Sequence, residues 1–538
     1  MADGARRFSR PVLRRLRRFY SRSRGRTGPS RLVKDSAATA KTGDSATRIA
    51  LSLIAAFALA RLIFDLTFGL GYDESYTVVL SRQLALSYFD HPPLHQWIAH
   101  FSALAFGEGV AIRLPFVALF AATGWLMFAL TRHLFGARAG LVALVALNLS
   151  GFFFASAGGW VVPDGPLLFG LAGAALALVP LLFEKPSPRA VWGLWLAVGV
   201  CLGLAGLSKY SAALFAFSVV AFLFVSPRQR HWLRHPAPYV AALITLAMIA
   251  PVIVWNWEHH WLSLAFQSER ATKETALRPW QVGAQLLGEI ALLTPWIFAA
   301  LAGALVAALR KGFGDERRLF LLCLALPPIV LFTLTPLWGA RGLPHWPMPG
   351  WFFVYPLLGA WLDEPWAGRR NLKRWALASA GLLGAIAVLA DLQVTTGWAT
   401  RLFPLPEGVA DPTLEMLDWS GLRATPLPQG TAFVVATKWV EAGKIALALG
   451  PQPPVLVFSG DPRGFGLSED SADFVGRDGV IIVPEGRLAA TQAKLANYFA
   501  SFDPPQTMVL RRGGENAITL TLIQAHGLTH AYPLPYPR

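Results

Sequence analysis

Four ionisable residues stand together in "GYDESYTVVLSRQLALSYFDHPPLHQW", residues 71–97: Asp73, Glu74, Asp90 and His91. They follow directly on a long apolar run, and carboxylates at a membrane's edge are costly unless solvated, paired or used. The plain reading of Asp73 and Glu74 is a solvated helix cap; the sharper one is a working site. Asp164 in "VVPDGPL" reads equally as a helix N-cap and as a further site carboxylate. Lys209 in "GLSKYS" sits in a turn so tight that its ammonium must lie near an interface, where snorkelling is the plain account. In the loop 258–279, Arg270 and Arg278 are the phosphate candidates, because a guanidinium grips two oxygens at once. Arg341 and His345 flank the proline-rich turn of "GARGLPHWP". His91, His95, Glu258, His259 and His260 lack a defined ligand spacing, so no metal site is assigned and no cofactor is required, although a divalent metal stays open.

The elements that hold these groups are membrane helices. Of 538 residues, 54% are hydrophobic and 15% charged, and mean hydropathy is +0.45. Apolar runs of about 17 to 25 residues, enough to cross a bilayer, begin near residues 47, 111, 138, 166, 190, 209, 237, 281, 319, 347 and 375. The net charge of +16 falls in short clusters between these runs, which fits topology rather than nucleic-acid binding. Cys201 and Cys323 lie inside apolar runs, so no disulfide framework is expected. Placing the basic residues inside puts the amino terminus in the cytoplasm and "GYDESY", "FDHPP", "LSKYS" and "PHWP" together on the opposite face. Residues 1–46 read as a basic cytosolic tail, in which "PVLRRLRRFY" could lie on anionic lipid as a short helix. "LHQWIAHFSALAF" reads as an interfacial helix with Leu94, Trp97, Ile98 and Phe101 on one apolar face. Residues 405–538 alternate strand-like stretches ("TAFVVAT", "PVLVFSG", "GVIIVPE", "QTMVLRR", "NAITLTLIQ") with helical ones ("KWVEAGKIALALG", "RLAATQAKLANYFASF"), the pattern of a small α/β domain. The glycine-rich "GDPRGFG" lacks the Lys-Ser/Thr of a phosphate loop and reads as a turn.

In that order, "DE" at 73–74, "YFDHPPLHQW", "PDGPLLF", "LSKY" and "PHWPMPGW" resemble the integral-membrane glycosyltransferases that use polyprenyl-phosphate sugars. This is the GT-C class, which includes protein O-mannosyltransferases and lipid A aminoarabinose transferases. The resemblance covers residues 47–395. It implies a GT-C fold of roughly 11 to 13 transmembrane helices ending in a periplasmic α/β domain, in a bacterial inner membrane, as a monomer. It implies transfer, with inversion, from a polyprenyl-phosphate sugar to an envelope glycolipid or polysaccharide, or alternatively to protein. By analogy Asp73 is the catalytic carboxylate, supported by Glu74 and Asp164. His91, Lys209, Arg270, Arg278 and Arg341 would hold the donor phosphate, and Tyr76, Asp90 and His345 the substrates. At the positions of Asp90 and His91 the aminoarabinose transferases carry Glu-Lys. With His91 in place of Lys, phosphate binding is expected to weaken above about pH 6.5.

Two other classes compete. A lipid or sugar transporter would also be polytopic and basic inside, but such proteins place ionisable residues and broken helices near mid-membrane. A scaffold leaves the outer-face residues unexplained.

Overall fold

The computed structural model describes residues 29–272, 276–340, 342–364, 368–406 and 409–537, with described side chains beginning at residue 45. The chain divides into two units, 1–51 and 52–538, and the site lies in the second. Of the tail expected over 1–46, residues 1–28, with the "PVLRRLRRFY" segment, lie outside the described residues; from Pro29 the chain is already in the helix Pro29–Asp65.

The fold is mostly helical. Seven helices among the described residues are long and apolar enough to cross a membrane: Ser45–Asp65, Val110–Phe135, Asp164–Phe183, Pro188–Ser208, Pro236–Glu258, Glu316–Trp338 and Arg369–Thr396. Two further runs are broken pairs, Ala137–Asn148 with Gly151–Gly159 at 85° and Pro279–Leu293 with Pro295–Lys311 at 107°. Against the expected roughly 11 to 13 spans, seven helices among the described residues, or nine if each bent pair is one span, are long and apolar enough to cross. The physical reason is that hydropathy counts apolar residues and does not register breaks. At the second bend Pro295 has no N–H to donate and keeps Thr294 out of the helical region; Thr294 takes φ 68° instead. The run near 209 forms only the shorter apolar helix Ala212–Val225, and the run near 347 is split into Met348–Phe352 and Val354–Leu362. Small residues let the spans approach: a Cβ on Gly199 would lie 2.7 Å from the Ala241 carbonyl of the neighbouring helix.

The C-terminal domain holds a mixed sheet ordered β2-β1-β3-β6-β4, with β5 also on β6. β1 (Phe433–Ala436), β2 (Val455–Val457) and β3 (Gly479–Pro484) are parallel; β4 (Phe499–Phe502), β5 (Gln506–Arg512) and the long β6 (Glu515–Leu528) run antiparallel to their partners. All five strand-like stretches are strands. β4, however, comes out of the segment read as a helix, which stops at Leu495; Phe499 and Phe502 pair with Leu528 and Ala525, so sheet pairing overrides the local period.

The domain is packed onto the stretch after the first span. Tyr76, Leu80 and Tyr88 share one apolar cluster with Val434, Ile445 and Val480. The helix Trp439–Leu449 lies against the helix Tyr72–Ser81 closely enough that a Cβ on Gly443 would come within 2.9 Å of the Tyr76 backbone N. The helix Leu94–Phe106 turns Phe101, Leu104 and Phe106 outward and buries His95, Gln96 and Ser102. Its apolar side thus faces away from the protein, as an interfacial helix requires, and its polar side faces in.

Candidate active site

Asp73 lies in the first turn of Tyr72–Ser81. Its side chain is exposed and yet surrounded by protein, so it lines a concavity. That enclosure raises its carboxyl above the usual range; Arg463 opposes the rise, Asp90 adds to it, and Arg270 again opposes it. Glu74, one residue on, has a different fate. Its carboxylate accepts from Arg113 Nε at 2.8 Å and Nη2 at 2.5 Å and from the Gly71 and Val161 N–H groups. Burial disfavours its charge, but the Arg113 guanidinium and these hydrogen bonds outweigh it and lower its pKa. Arg113 also donates to the Asp65, Phe68 and Gly69 carbonyls, so the pair ties the end of the first span to the helix that carries Asp73. At 1% exposure Glu74 anchors that helix and does not face the cavity.

Asp90 and Tyr76 are likewise buried, at 2% and 3% exposure, and held by protein. Tyr76 Oη donates to Asp90 Oδ1 at 3.3 Å and accepts from the Gly464 N–H. Asp90 Oδ2 pairs with Arg463 at 3.2 Å, and its carbonyl accepts from Gln267. Both are expected substrate contacts, and in the structure each is hydrogen-bonded to the other.

Across from this group, Asp164 opens its span without acting as a side-chain cap. Instead it accepts from Lys209 Nζ at 2.9 Å, both side chains nearly buried. The charges of Lys209, Asp164 and Arg270 all act on His345, and Lys209, Asp164, Arg270 and Arg463 all act on His91, so the two groups are continuous. Burial, then Lys209, pushes His91 down to about 3 and His345 down to about 4. The expected loss of His91 charge near pH 6.5 is thereby corrected: its imidazole is neutral throughout the physiological range. Arg270 carries its guanidinium over the Phe266 and Trp346 rings at 5.6 and 5.2 Å, between the two groups.

The structure thus brings together Asp73, Asp90, His91, Asp164, Lys209, Arg270 and His345 from five separate stretches of chain. Arg278 begins the helix Pro279–Leu293, with its N–H on the Leu337 carbonyl; Arg341 lies outside the described residues. His91 and His95 stack edge to face at 5.5 Å, but among the described residues no three His, Cys, Asp or Glu side chains group as metal ligands. Two arginines escaped the sequence reading. Arg113 had a signal, a lone cation at the start of a long apolar run. Arg463, in the stretch read as a plain turn, had none.

Residues 90–255 match the model of the family described as dolichyl-phosphate-mannose-protein mannosyltransferase. The fold matches ArnT from Cupriavidus metallidurans bound to undecaprenyl phosphate, with a TM-score of 0.61 and 17% identity over 88% of this chain and 97% of that one. It matches ArnT in the apo state equally, with a TM-score of 0.61 and 17% identity over 90% and 98% of the two chains. Among curated proteins none matches the chain in sequence. The fold is therefore the GT-C fold, as the motifs between 47 and 395 implied. The matched family segment contains Asp90, His91, Asp164 and Lys209 and leaves Asp73, Arg270, His345 and Arg463 outside it.

Proposed function

We propose that this protein transfers a sugar, with inversion, from a polyprenyl phosphate to an acceptor oxygen on an envelope glycolipid or polysaccharide, at the periplasmic face of a bacterial inner membrane. The observation that carries the reading is one accessible carboxylate, Asp73, recessed within the field of the Arg463 and Arg270 cations. A lipid-borne donor reaches such a site from the membrane, and the acceptor reaches it from the aqueous side.

In the transfer the acceptor oxygen bonds to the anomeric carbon as the bond from that carbon to the phosphate oxygen breaks. The acceptor's proton passes to Asp73, whose burial raises its carboxyl above the usual range and so makes its carboxylate a stronger base. The electron pair leaves on the polyprenyl phosphate, and Arg270 and Lys209 stabilise the added charge. Neutral His91 and His345 donate or accept hydrogen bonds without adding charge. Where the acceptor is an ionised phosphate there is no proton to remove, and Asp73 orients the attacking oxygen. The family model over residues 90–255 favours a second acceptor, protein, within the same chemistry.

The test is mass spectrometry of lipid extracts from cells lacking the protein, complemented with wild type or Asp73→Asn at matched membrane abundance. Wild type should restore a sugar-sized addition that the variant does not, with the donor accumulating in the variant. Full restoration by Asp73→Asn would remove Asp73 from the chemistry; unchanged glycans and glycolipids throughout would favour a transporter.

A further inference from the structure

The parallel strands β1 and β2 end side by side; Trp439 opens the helix that follows β1, and Arg463 lies in the loop that follows β2. In sheets of this kind the crevice beyond the carboxyl ends of the strands is where ligands are met. Here that edge meets the helix Tyr72–Ser81. Arg463 is held unusually firmly for a loop residue. Its φ is 48°, in the left-handed region that non-glycine residues avoid. Its carbonyl accepts from Tyr536 Oη, and its guanidinium lies 3.7 Å over the Trp439 ring. The next residue, Gly464, donates to Tyr76 Oη at 3.0 Å. Tyr76, Asp90, Arg463 and Gly464 therefore close a circuit in which two members come from the C-terminal domain and two from the stretch after the first span. Backbone strain persists where surrounding structure over-determines it, and functional sites are where such strain collects.

We infer that Arg463 is a positioning residue of the Asp73 site, by which the C-terminal domain fixes Asp90 and Tyr76 beside Asp73 and sets the balance of charge around its carboxylate. The charged groups acting on Asp73 are Arg463 and Arg270, which favour its ionisation, and Asp90, Glu74 and Glu415, which oppose it. Removing Arg463 takes away the leading opposing charge to burial and also frees Asp90 of its partner. The inference deepens the reading given above but is separable from it, because the charge on Asp73 can be followed without any sugar.

The experiment labels the full-length protein in nanodiscs with a carbodiimide, which reacts with protonated carboxyls, and reads modification of Asp73 by mass spectrometry across pH. Arg463→Met should raise the labelling midpoint by about one pH unit, and Arg463→Lys should leave it near wild type. A midpoint unmoved in Arg463→Met, or moved equally in both variants, would overturn the inference. In parallel, the acid limb of donor turnover should move upward by the same interval in Arg463→Met. If wild type turns over no polyprenyl-phosphate sugar while the labelling shift is present, the transferase reading fails and the positioning role stands. Arg477→Met, elsewhere on the same domain, should shift neither.

Discussion

At the scale of single residues, two adjacent carboxylates have been given opposite environments. Asp73 keeps its oxygens for the cavity; Glu74 spends all of its acceptor capacity on Arg113 and two backbone N–H groups. Their neutral variants should therefore fail differently. Asp73→Asn should lower turnover by about 10²- to 10⁴-fold with an unchanged melting temperature in detergent. Glu74→Gln should leave a buried guanidinium without its counter-charge, destabilising by about 3–5 kcal/mol, visible as a lowered melting temperature and yield. His91 supplies a contrast in pH. Because it is held at about 3, the KM for the donor should show no inflection between pH 5.5 and 7.5 that disappears in His91→Asn, each range being about one unit either side of the ordinary value. An inflection near 6.5 lost in that variant would mean the imidazole is charged in the working protein.

At the scale of elements, the helix Trp439–Leu449 is joined to the end of the first span by Lys444. The side chain is 2% exposed, and Nζ donates to the Leu70 and Leu417 carbonyls. Burial lowers its pKa to about 7, against the pull of Glu74, Asp418 and Glu415 and with the repulsion of Arg113. A neutral amine retains two N–H donors, the number those carbonyls require. Between about 7 and the unfolded value of 10.5 the unfolded chain holds a proton that the folded chain does not, so stability should rise with pH through this window. Thermal melts at pH 6.5, 8 and 9.5 should show that rise in wild type and its loss in Lys444→Met. A flat wild-type profile would mean the lysine remains charged in the fold.

At the scale of the whole molecule, Asp73, Lys209 and Arg270 come from the helical part and its loops, and Arg463 comes from the sheet domain, so the two parts should be inseparable in function. At Gly443 the helix Trp439–Leu449 comes so near that an added Cβ would lie 2.9 Å from the Tyr76 backbone N. Gly443→Val would push that helix off Tyr76 by a few tenths of an ångström or more, because the obstacle is backbone. Turnover should fall by about tenfold, in keeping with the sensitivity of catalysis to small misplacements, while the spans remain inserted and the far-ultraviolet circular dichroism stays that of wild type.

Much of this was legible in the residues. The apolar runs and the basic clusters between them specify a polytopic helical protein, because a bilayer admits few solutions and enforces them by length and charge. Alternation of period announced the α/β domain, and ordered short motifs announced the fold. Three things were decided only by the tertiary structure. Which of two neighbouring carboxylates is free depends on Arg113, 39 residues away. The helix breaks near Thr294 and Ser150 depend on packing that an apolar count does not contain. The arginine beside Asp73 comes from a loop 390 positions along the chain, where nothing local marks "GDPRGFG" as more than a turn. Charge pairing and burial are relations between distant residues, and only the folded chain supplies the distance.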